Sequence, residues 1–85
     1  MIFVTLIKFK KKASEVVEFG KKMMKDLPAG VKIIGTYWML GRFDAIWIYE
    51  GSSEKDAVKM WANARDVVKT ETMVALTREE ALKLL

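Results

Sequence analysis

The sequence predicts an α+β fold of the ferredoxin-like type, βαββαβ with a short C-terminal helix. Three observations lead to this fold class. The chain has 85 residues, which suits one domain over residues 1–85. Four strand-like apolar segments and two amphipathic helical segments follow one another in the order β-α-β-β-α-β. Only two residues, the first of them Gly, separate the second and third strands, and this pattern is typical of a β-hairpin.

The first strand and the first helix are predicted from residue type and spacing. Residues 2–9 are mostly β-branched and aromatic, contain no turn formers and predict a strand that is apolar on both faces. Ser14 is the predicted N-cap of the first helix. The apolar stripe of this helix consists of Val16, Val17, Gly20, Met23, Met24 and Leu27. The segment 28–30, Pro-Ala-Gly, ends the helix.

The hairpin and the second helix follow. The apolar runs 31–40 and 43–50 are predicted to be the second and third strands, joined by Gly41-Arg42. Ser53, with Asp56 three residues later, marks the N-cap of the second helix. The apolar stripe of the second helix consists of Ala57, Met60, Trp61 and Ala64.

A last strand and a short helix complete the predicted fold. Strand character extends over residues 67–76. Thr77 and Glu80 have the spacing of a capping box, which opens the C-terminal helix. The apolar side of this helix consists of Ala81, Leu82 and Leu85. Thr70 and Thr72 share one face of the last strand, where they either line a polar pocket or are ordinary sheet residues.

Composition restricts the chemistry and the location. The chain has no Cys and no His, so we expect no metal site, no cofactor and no thiol chemistry. No segment approaches the ~20 apolar residues of a membrane span, so we expect a cytoplasmic protein without a membrane partner. The net charge is +4, and the positive excess lies in residues 1–35, which carry eight Lys and three acidic residues; a solvated Lys-rich face explains it, and an acidic partner is the alternative. We expect no specific binding to nucleic acid, because a stacking signature is absent.

The hydrophobic content predicts self-association. Of all residues, 52% are hydrophobic, and the strands carry large apolar side chains on both faces. The helices of a ferredoxin-like fold cover one face of the sheet, and each large side chain contributes ~1.5–3 kcal/mol when it is buried. A second copy is the commonest partner of a soluble chain. We therefore expect a homodimer or a higher oligomer that forms through the sheet face.

Two segments resemble a known family. Residues 37–44, Tyr-Trp-Met-Leu-Gly-Arg-Phe-Asp, resemble the Gly-Tyr-Asp signature of the GYD-domain family at the same hairpin, with Phe43 in place of Tyr. Residues 67–77 are similar to that family's last strand, with Leu76 in place of Phe. A weaker resemblance is to the ligand-binding domain of leucine-responsive regulators. Both groups belong to the dimeric αβ-barrel superfamily, so the resemblance implies sheets paired as a dimeric αβ-barrel and implies no particular reaction.

The candidate ligand site is an aromatic cluster near the hairpin. Its residues are Tyr37, Trp38, Arg42, Asp44, Trp47 and Trp61. The rings would hold a small hydrophobic or aromatic ligand, and Arg42 and Asp44 would supply polar contacts at the rim. Alternatively, the rings are solid core, Arg42 pairs with a surface carboxylate, and Asp44 accepts backbone N–H bonds that fix the hairpin. A further alternative makes Asp44 a general base.

Two classes of function fit these residues. The first is a homo-oligomeric domain that binds a small organic ligand or has a structural role. The alternative is a cofactor-independent isomerase or monooxygenase that acts on an aromatic or quinone-like substrate. A closed cavity that contains a carboxylate with a perturbed pKa would favour the enzyme, whereas the absence of His disfavours it. An RNA-binding module is a third alternative, disfavoured by residues 41–45, Gly-Arg-Phe-Asp-Ala.

Overall fold

The computed structural model describes residues 1–85 and has the predicted order of elements. The strands are β1 (Ile2–Phe9), β2 (Lys32–Trp38), β3 (Ala45–Glu50) and β4 (Val68–Ala75), and the helices are α1 (Ala13–Lys25), α2 (Glu54–Trp61) and α3 (Arg78–Leu82). The four strands form one antiparallel sheet in the order β2-β3-β1-β4. The prediction of a ferredoxin-like α+β fold with a short C-terminal helix is confirmed.

The strand register divides the sheet into a covered face and an uncovered face. On β1, Phe3, Thr5 and Ile7 are buried, and so are their β3 partners Tyr49, Trp47 and Ala45. Residues of α1 and α2 pack against this side, which is therefore the covered face and holds the core. The alternate residues of both strands lie on the uncovered face, where no side chain is fully buried. The Cα atoms span only 17 Å along the shortest axis, the depth of one sheet and one helical layer.

Helix α1 begins earlier than predicted and packs loosely. Its N-cap is Lys12, whose ψ of 145° is extended, so Ser14 lies inside the first turn and caps nothing. The prediction of Ser14 as the N-cap is therefore wrong. None of the 13 residues of α1 is buried. Val16, Phe19 and Met23 only partly bury their side chains against the core. The helix thus rests on the sheet without filling the space beneath it.

Helix α2 is held more firmly. Ser53 is its N-cap, as predicted, and the Asp56 carboxylate accepts the N–H groups of Ser52 at 2.7 Å and of Ser53 at 3.3 Å. The Ser52 hydroxyl donates to the same oxygen at 2.9 Å. These bonds from the Ser52 backbone and side chain lower the pKa of Asp56 below its usual value of 3.8. The predicted capping box of α3 is also present, with Thr77 Oγ1 accepting from the N–H of Glu80 at 3.1 Å.

The hairpin connection is longer than the predicted pair Gly41-Arg42. Strand β2 ends at Trp38 and β3 begins at Ala45. A backbone hydrogen bond of 2.9 Å from the N–H of Met39 to the carbonyl of Asp44 closes a four-residue loop, residues 40–43. Gly41 has a φ of 115°, a conformation that L residues rarely adopt, so this glycine allows the loop to turn.

Strand β2 contains a β-bulge that changes which side chains face the helices. The pairing with β3 shifts between Ile33 and Gly35. Before the bulge, Ile33 lies opposite Tyr49 on the covered face; after it, Trp38 lies opposite Ala45 on that face. A glycine inside a strand often marks such an irregularity. The bulge therefore puts Trp38 on the covered face and its neighbour Tyr37 on the uncovered face.

Candidate functional site

The four aromatic rings of the candidate site do not form one cluster. Trp47 and Trp61 are each 8% exposed and meet edge to face, with ring centroids 5.2 Å apart. Trp38 lies on the same side of the sheet, where its ring meets that of Phe9 at 5.4 Å. Tyr37 is 59% exposed and, because of the bulge, lies on the other side of the sheet. The structure thus brings together the three tryptophans and separates Tyr37 from them.

The three tryptophans line a cavity of 200 Å³ between α1 and the sheet, which we call the α1 cavity. Most of its other lining is apolar and comes from α1, β1 and β3. These residues include Ile7, Phe9, Val16, Phe19, Met23 and Ala45. Lys21 is the charged residue at its boundary, and no carboxylate lines it. The cavity exists because α1 is not seated deeply on the sheet, and its lining suits a small apolar molecule.

Arg42 and Asp44 lie in and beside the hairpin loop and do not line the α1 cavity. Asp44 Oδ2 accepts the N–H of Phe9 at 2.8 Å, and the Asp44 N–H donates to the carbonyl of Ile7 at 2.8 Å. Asp44 thereby ties the hairpin to the end of β1, the structural role that we considered for it. The Arg42 guanidinium lies 5.6 Å from the centre of the Phe43 ring, a cation–π contact at the surface.

A larger groove of 590 Å³ lies between α2 and β4, and we call it the α2–β4 groove. Ala57, Val58 and Trp61 line it from α2, and residues 68–70 and 72–74 line it from β4. Lys10, Arg65 and Glu54 also border it. Thr70 and Thr72, which share one face of β4, are the feature of the sequence that indicates this groove.

A chain of hydrogen bonds leads from the core to the α2–β4 groove, and we call it the hydroxyl chain. The indole N–H of Trp61 donates to Tyr49 Oη at 3.0 Å. Tyr49 Oη lies 2.9 Å from Thr5 Oγ1, which lies 2.9 Å from Thr72 Oγ1. Thr5 and Tyr49 have no exposed surface, whereas Thr72 is exposed and lines the groove. The core of this small sheet therefore contains a polar path that ends in a concave surface.

The structure contains neither a cluster of metal-ligating side chains nor a helix that could span a membrane. No three acidic side chains converge in a way that could hold a metal ion. None of the helices combines the length and apolar character that crossing a membrane requires. A third depression of 220 Å³ lies beside the hairpin loop, and its lining is mostly charged or polar: Lys8, Arg42, Phe43, Lys69, Thr70 and Glu71.

Comparison with known proteins agrees with the architecture. The chain is similar in structure to FFRP-DM1, a protein of the leucine-responsive regulator type: the TM-score is 0.59, the identity is 20%, and the match covers 89% of this chain and 100% of that chain. At this identity the similarity concerns the fold. No curated protein sequence matches this chain significantly. The family model of the GYD domain matches residues 4–85, which include the hairpin and the last strand, and the chain belongs to the GYD-domain family.

Proposed function

We propose that this protein is a homodimeric domain that pairs its sheet with that of a second copy and binds a small apolar molecule in the α1 cavity. The observation that carries the proposal is the uncovered face of the sheet. At its centre, Val4 lies opposite Ile48 and Leu6 lies opposite Ile46 on neighbouring strands. Tyr37 extends this apolar area on β2, and Met73 extends it on β4.

The edges of the uncovered face differ from its centre. Lys32 and Glu50 are paired at one end, and Lys8 and Lys69 are paired at the other end. An apolar centre with a charged rim is the usual composition of a protein interface. Monomeric proteins rarely expose continuous apolar patches larger than a few hundred Å². A second sheet packed at ~10 Å would cover the patch and give the dimer two-fold symmetry.

The dimer is tested by Leu6→Lys, which places a charge in the centre of the uncovered face but outside the core of the protomer. We expect light scattering of the unaltered protein to give twice the 9.7 kDa of the chain, and the variant to give 9.7 kDa with an unchanged circular dichroism spectrum. Leu40→Lys is the matched control, because Leu40 is fully exposed in the hairpin loop and should not affect assembly. A mass of 9.7 kDa for the unaltered protein at micromolar concentration would overturn the dimer.

Ligand binding is tested by Trp38→Ala. Trp38 lines the α1 cavity but is 65% exposed, so its removal should spare the fold. Menadione, a neutral apolar quinone that quenches indole emission, is the probe. We expect the unaltered protein to show saturable quenching that Trp38→Ala weakens about tenfold. Leu40→Ala is the matched control, because Leu40 is fully exposed in the hairpin loop and lines neither the α1 cavity nor the uncovered face. Equal affinity in all three proteins would remove the α1 cavity from the proposal.

The absence of a carboxylate from the lining of the α1 cavity supports binding over catalysis. A cofactor-independent isomerase or monooxygenase needs a group that accepts a proton from its substrate, and a carboxylate is the ordinary choice without His. Asp44 uses one carboxylate oxygen to accept the N–H of Phe9 and does not line the cavity. We therefore favour a binding domain over an enzyme.

A further inference from the structure

The buried end of the hydroxyl chain fixes the direction of its hydrogen bonds. An indole N–H donates and cannot accept, so Tyr49 Oη is the acceptor for Trp61. Tyr49 is fully buried, and the other partner of its hydroxyl is Thr5 Oγ1, at 2.9 Å. Because a buried O–H needs an acceptor, the Tyr49 hydroxyl donates to Thr5.

The remaining bonds of the hydroxyl chain run in the same direction, toward the surface. The Thr5 oxygen accepts from Tyr49, so the Thr5 hydrogen goes to its remaining partner, Thr72 Oγ1, at 2.9 Å. Thr72 accepts this bond and retains its own hydroxyl hydrogen. Since Thr72 lines the α2–β4 groove, the chain ends in a donor at the groove. Hydrogen bonds that run in one direction polarise one another, which strengthens the last donor.

The charges around the groove favour an anion. Lys10, Arg65 and Lys69 line it, against the single carboxylate of Glu54. The Lys10 ammonium donates to the Arg65 carbonyl at 2.7 Å, which holds this cation at the border of the groove. Apolar side chains form the walls of the groove: Phe3, Ala57, Val58, Trp61, Ala62, Val68, Met73 and Val74. A free hydroxyl donor, an excess of cations and apolar walls together suit a ligand with an anionic end and an apolar body.

We propose that the α2–β4 groove binds a small carboxylate with an apolar body, and that its carboxylate accepts a hydrogen bond from the Thr72 hydroxyl. A carboxylate offers only acceptors, and a hydrogen bond to it is roughly twice as strong as one between neutral groups. The volume of 590 Å³ is in the ordinary range for a site of this kind. The groove is separate from the α1 cavity, so this inference goes beyond the proposed function. Thr72, Trp61 and Arg65 lie on the helical side of the sheet, so a dimer paired through the uncovered face leaves this part of the groove accessible. Met73 and Lys69 line its other border, where the edge strand β4 separates the groove from the uncovered face.

The first test compares phenylacetate with phenylacetamide, its uncharged counterpart of nearly the same shape. Binding is measured by titration calorimetry on the full chain. We expect phenylacetate to bind about tenfold or more tightly than the amide, and the difference to shrink with added salt because Arg65 and Lys10 lie at the border of the groove. Equal affinities, or no binding of phenylacetate at millimolar concentration, would overturn the proposal.

The second test concerns the hydroxyl donor. Thr72→Val keeps the shape of the side chain and removes the hydroxyl, and we expect it to weaken phenylacetate binding about tenfold. Thr72→Ser retains the hydroxyl and should bind within about threefold of the unaltered protein. Phenylacetate binding that is unaffected by Thr72→Val would refute the role of Thr72.

Two further variants keep the test decisive. If Thr72→Val lowers stability too far, Arg65→Gln is used instead, because Arg65 is exposed and its replacement should spare the fold. Arg65→Gln should weaken the binding of phenylacetate but not that of phenylacetamide. Trp38→Ala alters the α1 cavity only and should leave phenylacetate binding unchanged. If Trp38→Ala abolishes it, the acid binds in the α1 cavity and the assignment to the groove is wrong.

Discussion

Tyr49→Phe measures how much the hydroxyl chain stabilises the core. The change keeps the ring, which stacks on Phe3 at 5.5 Å between centroids, and removes one buried oxygen. The indole N–H of Trp61, now 3.0 Å from that oxygen, would be left buried without an acceptor, at a cost of ~1–3 kcal/mol. Thr5 would lose one of its two partners, at a further cost of about 1 kcal/mol. We therefore expect the free energy of unfolding to fall by ~2–4 kcal/mol.

Thermal unfolding followed by circular dichroism checks this value. A loss of 1 kcal/mol lowers the Tm of a domain of this size by ~4–8 °C, so the Tm should fall by at least ~8 °C. All proteins are compared at one concentration, because self-association would make the Tm depend on concentration. Tyr37→Phe is the matched control: this hydroxyl belongs to an exposed side chain, and its loss should change stability by less than ~0.5 kcal/mol.

A double-mutant cycle separates the hydrogen bond from other effects. Trp61→Phe removes the donor, and the double variant Tyr49→Phe/Trp61→Phe leaves neither an unpaired donor nor an unpaired acceptor between the two rings. We expect the double variant to be at least ~1 kcal/mol more stable than the sum of the single losses predicts. Additive losses within ~0.5 kcal/mol, or a Tyr49→Phe protein as stable as the unaltered one, would refute the reasoning.

Four further predictions use thermal unfolding. Gly20→Ala should stabilise by up to ~1 kcal/mol, because the new methyl meets the Trp47 ring at an ordinary 3.6 Å inside α1; a lower Tm would contradict this. Gly51→Ala should lower the Tm, because its methyl would lie 3.0 Å from the Asp56 side chain, and an unchanged Tm would show that this turn yields. The lowered pKa of Asp56 stabilises the fold above pH 3.8, and this contribution is lost as pH falls below that value; Asp56→Asn should have a flatter pH profile. Asp44→Asn keeps a hydrogen-bond acceptor for Phe9, so the Tm should fall by no more than ~4–8 °C.

The order of the elements follows from the sequence because helical stripes and capping residues are local signals. Ser53 and Thr77 act within three residues of themselves, so their positions alone predict the starts of α2 and α3. The prediction of Ser14 as the N-cap is wrong because the helix already begins at Ala13. Its N-cap is the preceding residue, Lys12, which has an extended backbone. The predicted length of the hairpin connection is too short because Leu40 and Phe43 are apolar, as strand residues are, although both belong to the loop.

The facing of the strands lies beyond local signals. Strands that are apolar on both faces show no alternation, so nothing in the letters reveals that the bulge at Gly35 reverses the sides of Tyr37 and Trp38. For this reason Tyr37 and Trp38 are predicted from the sequence to share one candidate site, although only Trp38 lies on the covered face. The hydroxyl chain depends on contacts of Thr5 with Tyr49 and Thr72, which follow it in the sequence by 44 and 67 positions. Only the register of three strands determines these contacts.

The shallow seating of α1 has a consequence for how the protein moves. Opening free energies within one protein range from near zero to the full stability, and elements with few buried contacts open first. With none of its 13 residues buried, α1 belongs at the low end of this range, whereas β1 and β3 form the centre of the sheet. Backbone amides of α1 should therefore exchange with solvent well before those of β1. When α1 lifts, the floor formed by Trp47 and Ala45 becomes open to solvent, so a molecule can enter without any disruption of the sheet.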